Sequence, residues 1–211
     1  DGQVTVKDAS GNTVAVKDLG GCKYSFVMPA TKFSVEACFV EAAKPGADFA
    51  DVAVNAWYKD AVDYVVQKGL MSGTGEKTFS PEAPMTRAML MTVLARYAGE
   101  DTSGGATWYE KGMAWAVANG VSDGSNPAGN ITREQLVTML YRYAGSPQTS
   151  GSLAAFADAD AVSAYAVQAM QWAVEQGIIT GTTATTITPK GSATRAQVAM
   201  ILMRFCQGRD A

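Results

Sequence analysis

The sequence predicts a mainly α fold, three tandem helix–turn–helix modules preceded by a short antiparallel β module. Three observations predict it. A Thr-Arg pair (Thr86-Arg87, Thr132-Arg133 and Thr194-Arg195) opens an amphipathic segment three times. A second arginine follows nine residues later each time, at Arg96, Arg142 and Arg204, so six of the seven arginines hold repeated positions. Ahead of each pair lies an aromatic-led segment that ends in glycine. Self-similarity with a period of about 40–55 residues marks a repeat architecture and makes a single catalytic centre a poor fit.

Residues 1–43 form the expected β module. Val4, Val6, Val14 and Val16 alternate with polar residues around Asp8-Ala9-Ser10-Gly11-Asn12, which is turn chemistry. Two further alternating runs, residues 24–28 and 33–40, flank Pro29-Ala30-Thr31. Four short strands are expected, too few for stability alone, so the module reads as the end of a larger β domain or as packed on the helices. Alternation places Cys22 inward with Tyr24 and Phe26 but Cys38 outward, which argues against a bridge between them. Residues 44–48, with Pro45-Gly46, read as a linker.

The three helical modules span residues 49–99, 106–145 and 154–207. Trp57, Trp108 and Tyr165 lead the first helices, each followed seven residues later by Tyr64, Trp115 or Trp172. Gly69, Gly120 and Gly177 stand where a left-handed residue ends a helix. Gly73, Gly124 and Gly181 mark the turns, and Pro81, Pro127 and Pro189 precede the Thr-Arg pairs by five residues. The distance from first aromatic to Thr is 29 residues in modules 1 and 3 but 24 in module 2, so module 2 has a shortened loop and intact helices. Second-helix residues such as Leu90, Val93, Leu94 and Tyr97 follow the i, i+3, i+4, i+7 pattern of a buried face.

Composition narrows the function. Hydrophobic residues make up 47% and charged residues 18%, enough to build a core. The net charge of -3 is shared by both halves and offers no basic surface for nucleic acid. No apolar run approaches the roughly 20 residues of a membrane span. Histidine is absent, so no histidine-based triad can form. Glu82, Glu110, Glu134 and Glu175 form no defensible glycosidase pair, and no enzyme, cofactor or metal site is expected. Asp123-Gly-Ser-Asn126 lacks the spaced ligands of a calcium loop and reads as a turn. Cys206 lies on an apolar stripe and reads as buried. The start at Asp1 suggests a mature piece of something longer.

Thr86, Thr132 and Thr194 are expected N-caps. An arginine directly after an N-cap meets the positive end of the helix dipole, at a cost of a few tenths of a kcal/mol. Three in register point to compensation. Free first-turn amides and a guanidinium suit a carboxylate or phosphate. Bonds between repeats, to Asp51, Asp60, Asp158 or loop carbonyls, would serve equally, and the sequence leaves both open. Trp57, Trp108 and Tyr165 offer stacking faces for a sugar or act as core anchors. Arg96, Arg142 and Arg204 fall near helix C-termini, where they suit the dipole, and receive no further role.

Phe49-Ala-Asp51-Val52, Trp57, Gly69, Gly73, Phe79-Ser-Pro81 and Thr86-Arg87-Ala88 strongly resemble the S-layer homology module. The third module repeats Phe156-Ala-Asp158, Tyr165, Gly177, Gly181, Pro189 and Thr194-Arg195-Ala196. The middle one keeps Trp108, Gly120, Gly124, Pro127 and Thr132-Arg133 without the Phe-x-Asp opening. Residues 21–40 look like the end of a small bacterial surface-protein β repeat. The resemblance covers residues 49–207 and implies a pseudo-threefold spindle, an intramolecular trimer in a monomeric chain, with grooves between modules. It implies a secreted protein held on the cell wall or S-layer of Gram-positive-type bacteria. The implied partner is a secondary cell-wall polysaccharide whose terminal sugar carries a pyruvate ketal. The matching ligand-binding positions are Arg87, Arg133, Arg195, Thr86, Thr132, Thr194, Trp57, Trp108, Gly73, Gly124 and Gly181. Where the family motif commonly ends in Glu, this chain has Met89, Gln135 and Gln197, which predicts one or two working grooves. The alternative is a surface scaffold or adhesive segment with degenerate grooves, acting through protein–protein contacts.

Overall fold

The computed structural model describes residues 2–20, 23–28, 32–39 and 49–209. The chain divides into two units, Asp1–Lys44 and Pro45–Ala211. The expected linker at 44–48 and Cys22 lie outside the described residues, and with Cys22 the question of a bridge to Cys38.

In the first unit β1 (Gly2–Asp8) pairs antiparallel with β2 (Thr13–Val14) on one edge and β5 (Phe33–Phe39) on the other. Val6 faces both Val14 and Val35 across the ladder and is fully buried. The Asp8 turn forms as expected, its carboxylate accepting the amides of Ser10 and Asn12 at 2.9 Å. Among the described residues there are five strands where four are expected. The second run breaks at Ala15, so that β3 (Val16–Gly20) leaves the first sheet and pairs with β4 (Lys23–Phe26).

The second unit is helical: α1 (Lys59–Gln67), α2 (Arg87–Tyr97), α3 (Glu110–Ala118), α4 (Arg133–Tyr143), α5 (Val167–Glu175) and α6 (Arg195–Gln207). Three first helices alternate with three second helices, as the repeats predict. Gly69, Gly120 and Gly177 follow the last helical turns with φ of 70°, 67° and 66°, the left-handed geometry that a side chain would strain. Thr86, Thr132 and Thr194 cap the second helices, each hydroxyl accepting the amide three residues on, at 3.3–3.4 Å. Gln135 and Gln197 return the bond to the capping residue's own amide, completing capping boxes that Met89 cannot make.

Each first helix packs most closely on a second helix from another module: α1 on α6, α3 on α2, and α5 on α4. Gly112 on α3 permits this approach, since a Cβ there would lie 2.7 Å from the Thr92 Cα. The unit of sequence is therefore not the unit of packing. The exchange is cyclic and it closes. Just before the second helices, the Met85 amide donates to the Ala193 carbonyl (3.0 Å), Ala193 to Ile131 (2.9 Å) and Ile131 back to Met85 (2.8 Å). At the far ends of the same helices, Tyr97, Tyr143 and Phe205 meet with centroids 5.6–6.0 Å apart. These equivalent residues form triangles at both ends of a pseudo-threefold core. Leu90, Leu94, Leu136, Leu140, Val198 and Leu202 fill the space between, each at most 1% exposed. Removal of their side chains from water supplies the main drive for closure.

Candidate functional site

The Thr-Arg arginines reach across the module boundaries. Arg87 Nε donates to the Ser125 carbonyl (2.8 Å) in the turn of module 2. Arg133 Nε donates to the Ile187 carbonyl (2.8 Å) in module 3. Arg195 closes the cycle in module 1, with Nε on the Phe79 carbonyl and Nη2 on the Ser72 carbonyl, both at 2.7 Å. Its guanidinium also lies 4.5 Å from the Phe79 ring centroid. Arg133 and Arg195 are 5% and 6% exposed. Bonds to loop carbonyls between repeats, one of the compensations left open by the sequence, are made by all three arginines.

The first-turn amides are engaged as well. Arg87 and Ala88 donate to the Gly129 and Pro127 carbonyls, Arg133 and Glu134 to Gly191 and Pro189, and Arg195 and Ala196 to Ala83 and Pro81, all within 2.9–3.0 Å. With the third amide taken by the threonine, the expectation of exposed amides awaiting an anion does not hold. A neighbouring loop supplies the negative ends of its peptide dipoles instead.

Loop carbonyls need a fixed loop, and the Phe-x-Asp opening provides it. Asp51 accepts the Phe79 and Ser80 amides at 2.8 and 2.7 Å, and Asp158 accepts those of Ile187 and Thr188 at 2.9 and 2.7 Å. Burial works against their ionisation, yet these amides, helped by Arg195 and Arg133, hold both carboxyls below their ordinary range. Module 2 has no counterpart. There Asp123, in the turn itself, pairs with Arg87 Nη2 at 2.7 Å.

Three grooves open between the modules, of about 310, 280 and 330 Å³. Each draws on all three modules. The first has Arg87 from module 1, the turn and α4 of module 2, and Tyr165 from module 3. The second has Arg133 from module 2, the turn and α6 of module 3, and Trp57 from module 1. The third has Arg195 from module 3, the turn and α2 of module 1, and Trp108 from module 2. Trp57, Trp108 and Tyr165 are 61%, 56% and 55% exposed, so they stand as groove walls and not as core anchors.

Of the residues singled out in the sequence, Arg87, Arg133, Arg195, Trp57, Trp108, Gly73 and Gly181 line grooves. Thr86, Thr132 and Thr194 serve as caps, and Gly124 holds a turn with φ 71°. The sequence reading missed Arg142, Arg204 and Arg96, which line the first, second and third grooves. Their signal lay in the helical period. Each is seven residues beyond Gln135, Gln197 or Met89, on the same helix face. Arg96 and Arg142 are exposed and Arg204 half-buried, so all three present charge where the inner arginines form the floor.

Also missed was Glu134, 3% exposed at the junction of modules 2 and 3. Its carboxylate accepts from the Ser163 amide and hydroxyl (2.9 Å each), Lys190 Nζ (2.7 Å) and the Tyr165 hydroxyl (3.0 Å). Ala88 and Ala196 occupy the equivalent positions, so this latch has no counterpart elsewhere in the ring. Burial opposes the charge on Glu134, but Lys190, Ser163 and Tyr165 outweigh it and lower the pKa. Burial and the Glu134 bond push Tyr165 up to about 12. A depressed folded pKa means stability present above the ordinary value of 4.5 and lost as pH falls through the folded value. Glu134→Gln is expected to remove that part of the acid sensitivity, which denaturant titrations at neutral and acid pH would measure. An unaltered pH dependence would refute the latch.

The sequence profile described as S-layer homology domain matches residues 48–88 and 155–199, the first and third modules. The chain carries S-layer homology domains. The middle module lies outside the matched segments, yet its helix pair, Thr-Arg cap and groove are built as in the other two. The chain is 31% identical to the surface-layer 125 kDa protein of Lysinibacillus sphaericus over 61% of its own length and 11% of that protein's. It is 28% identical to an S-layer protein of Bacillus thuringiensis subsp. finitimus over 77% of its own length and 22% of that protein's. It thus spans only a small part of these relatives. The S-layer homology match and the relatives together indicate an anchoring role at the cell surface, wall-associated or within an S-layer. Among the described residues no helix is long and apolar enough to cross a membrane.

Proposed function

We propose that the helical unit anchors its parent protein non-covalently to the cell wall by binding an acidic secondary cell-wall polysaccharide, with a pyruvate ketal on its terminal sugar, in the inter-module grooves. One observation carries the reading: the same aromatic wall, inner arginine and outer arginine recur in all three grooves, assembled each time from three modules. An exposed indole or phenol face suits the apolar side of a sugar ring. The outer guanidinium suits the ketal carboxylate, a charge-assisted bond contributing about 1.5–3 kcal/mol. Arg87, Arg133 and Arg195 hold the floor in place and keep its potential positive, and Gly73 and Gly181 let the groove turns close tightly, where a Cβ would run into the carbonyls of Gly75 and Thr183. The role is binding without catalysis.

Three modest sites on one polymer gain from effective concentration, so firm anchoring does not need a tight single groove. The chain is expected to co-sediment with purified walls that carry such a polysaccharide and to stay in solution once the polysaccharide has been stripped. Undiminished sedimentation with stripped walls would contradict the proposal and favour attachment through protein–protein contacts, the scaffold alternative.

A further inference from the structure

Three grooves built alike differ in one acidic side chain. The turn position that carries Ser72 in module 1 and Thr180 in module 3, three residues after the helix-ending glycine, carries Asp123 in module 2. Asp123 Oδ1 lies 2.7 Å from Arg87 Nη2, and the same oxygen accepts the amide (3.0 Å) and hydroxyl (2.8 Å) of Ser125. Those bonds, the Ser125 amide foremost, hold the carboxyl below its ordinary range. It is therefore charged at neutral pH. The side chain is 68% exposed and borders the groove.

No carboxylate occurs among the described residues lining the other two grooves. Asp51 and Asp158 act on Arg195 and Arg133 electrostatically, but loop amides engage their oxygens and neither lines a groove. An incoming carboxylate in the first groove would meet the like charge of Asp123, which lies beside Arg87 in a groove that Arg142 also lines. In the second and third grooves it meets two guanidinium groups and no acid.

We infer that Asp123 screens the acid-binding position of the Arg87–Tyr165 groove: it neutralises Arg87 and sets a like charge against a carboxylate approaching Arg142, which leaves that groove to an uncharged sugar and confines acidic sugars to the Trp57–Arg204 and Trp108–Arg96 grooves. The inference rests on the groove reading above and sharpens it. An acidic terminal sugar then has two grooves open to it, and the first groove is left to a neutral sugar.

The test is NMR shift mapping of the isotope-labelled full chain with a soluble amino sugar bearing a pyruvate ketal, and with the same sugar lacking it. In the unaltered protein the acidic sugar should move amides at 72–74 and 180–182 at concentrations about tenfold below those that move 122–125. The neutral sugar should reach the 122–125 turn without that handicap. In Asp123→Asn, which keeps the shape of the side chain, the acidic sugar should reach all three turns at similar concentrations. Asp123→Ser, which copies Ser72, should do the same if the amide disturbs the turn. Equal response of the three turns in the unaltered protein would overturn the inference. So would a 122–125 turn that neither variant makes more responsive, or one that the neutral sugar does not reach. Silence at all three turns in every protein with both sugars would bring down the groove reading itself, and the role of Asp123 with it.

Discussion

Arg195→Ala is expected to destabilise the helical unit by about 3 kcal/mol, a large fraction of what holds an ordinary domain together. The side chain is 6% exposed and donates to two carbonyls, Phe79 and Ser72, in a module more than a hundred residues away in sequence. Truncation leaves both acceptors without their donor in a site that water reaches poorly, at about 1–3 kcal/mol for each such group. It also leaves Asp51 without its nearby positive charge. Because Arg195 closes the cycle between modules 3 and 1, the loss falls on the ring and not on one local loop. Lysine is expected to rescue little, since a single ammonium cannot serve two carbonyls with the planar fork of a guanidinium. Chemical denaturation measures the effect, and a change below about 1 kcal/mol would mean that the clasp is incidental.

The largest functional effect is expected from removing the outer arginines together. Arg96→Ala, Arg142→Ala and Arg204→Ala in one chain should lower wall affinity at least about a hundredfold, because the second and third grooves lose a charge-assisted bond to the carboxylate, the first loses a donor to its sugar, and multivalency compounds the losses. Stability should change little. Arg96 bonds Thr102 and Arg204 bonds Thr180, both solvent-exposed contacts worth little net energy. The pattern separates binding from folding, which substitution of Arg87, Arg133 and Arg195 cannot do because those side chains join the modules. Wall sedimentation alongside a melting curve checks both halves. Full binding by a folded triple variant would remove the outer arginines from the site.

How much of this was legible in the sequence follows from what is local and what is not. Caps, helix-ending glycines and the buried faces of α2, α4 and α6 depend on neighbours a few residues away, and the spacing of Thr86, Gly69 and Leu90 displayed them directly. The family resemblance added the ring. The destination of Arg87, Arg133 and Arg195 was not legible, because their acceptors are peptide carbonyls, which every residue carries and no residue type announces. Packing of α1 on α6 escaped for a similar reason: repeats look self-contained until exchange closes the cycle. The latch at Glu134 was not legible because Ser163, Tyr165 and Lys190 are far along the chain. Arg96, Arg142 and Arg204 were legible in principle. Their dipole-friendly positions near helix ends offered a sufficient reason for them, and the seven-residue step back to Met89, Gln135 and Gln197 went unused. In the β unit the break at Ala15 is a change of partner, which alternation alone does not reveal.

The central claim is that acidic sugar binds in grooves walled by an aromatic from one module and an outer arginine from another. A crystal of the full chain soaked with a pyruvate-ketal amino sugar tests it most directly. The account predicts the ring against Trp57 or Trp108 and the carboxylate within hydrogen-bond reach of Arg204 or Arg96. Sugar bound only outside the three grooves, or at a displaced helix start in place of the loop carbonyls, would contradict it.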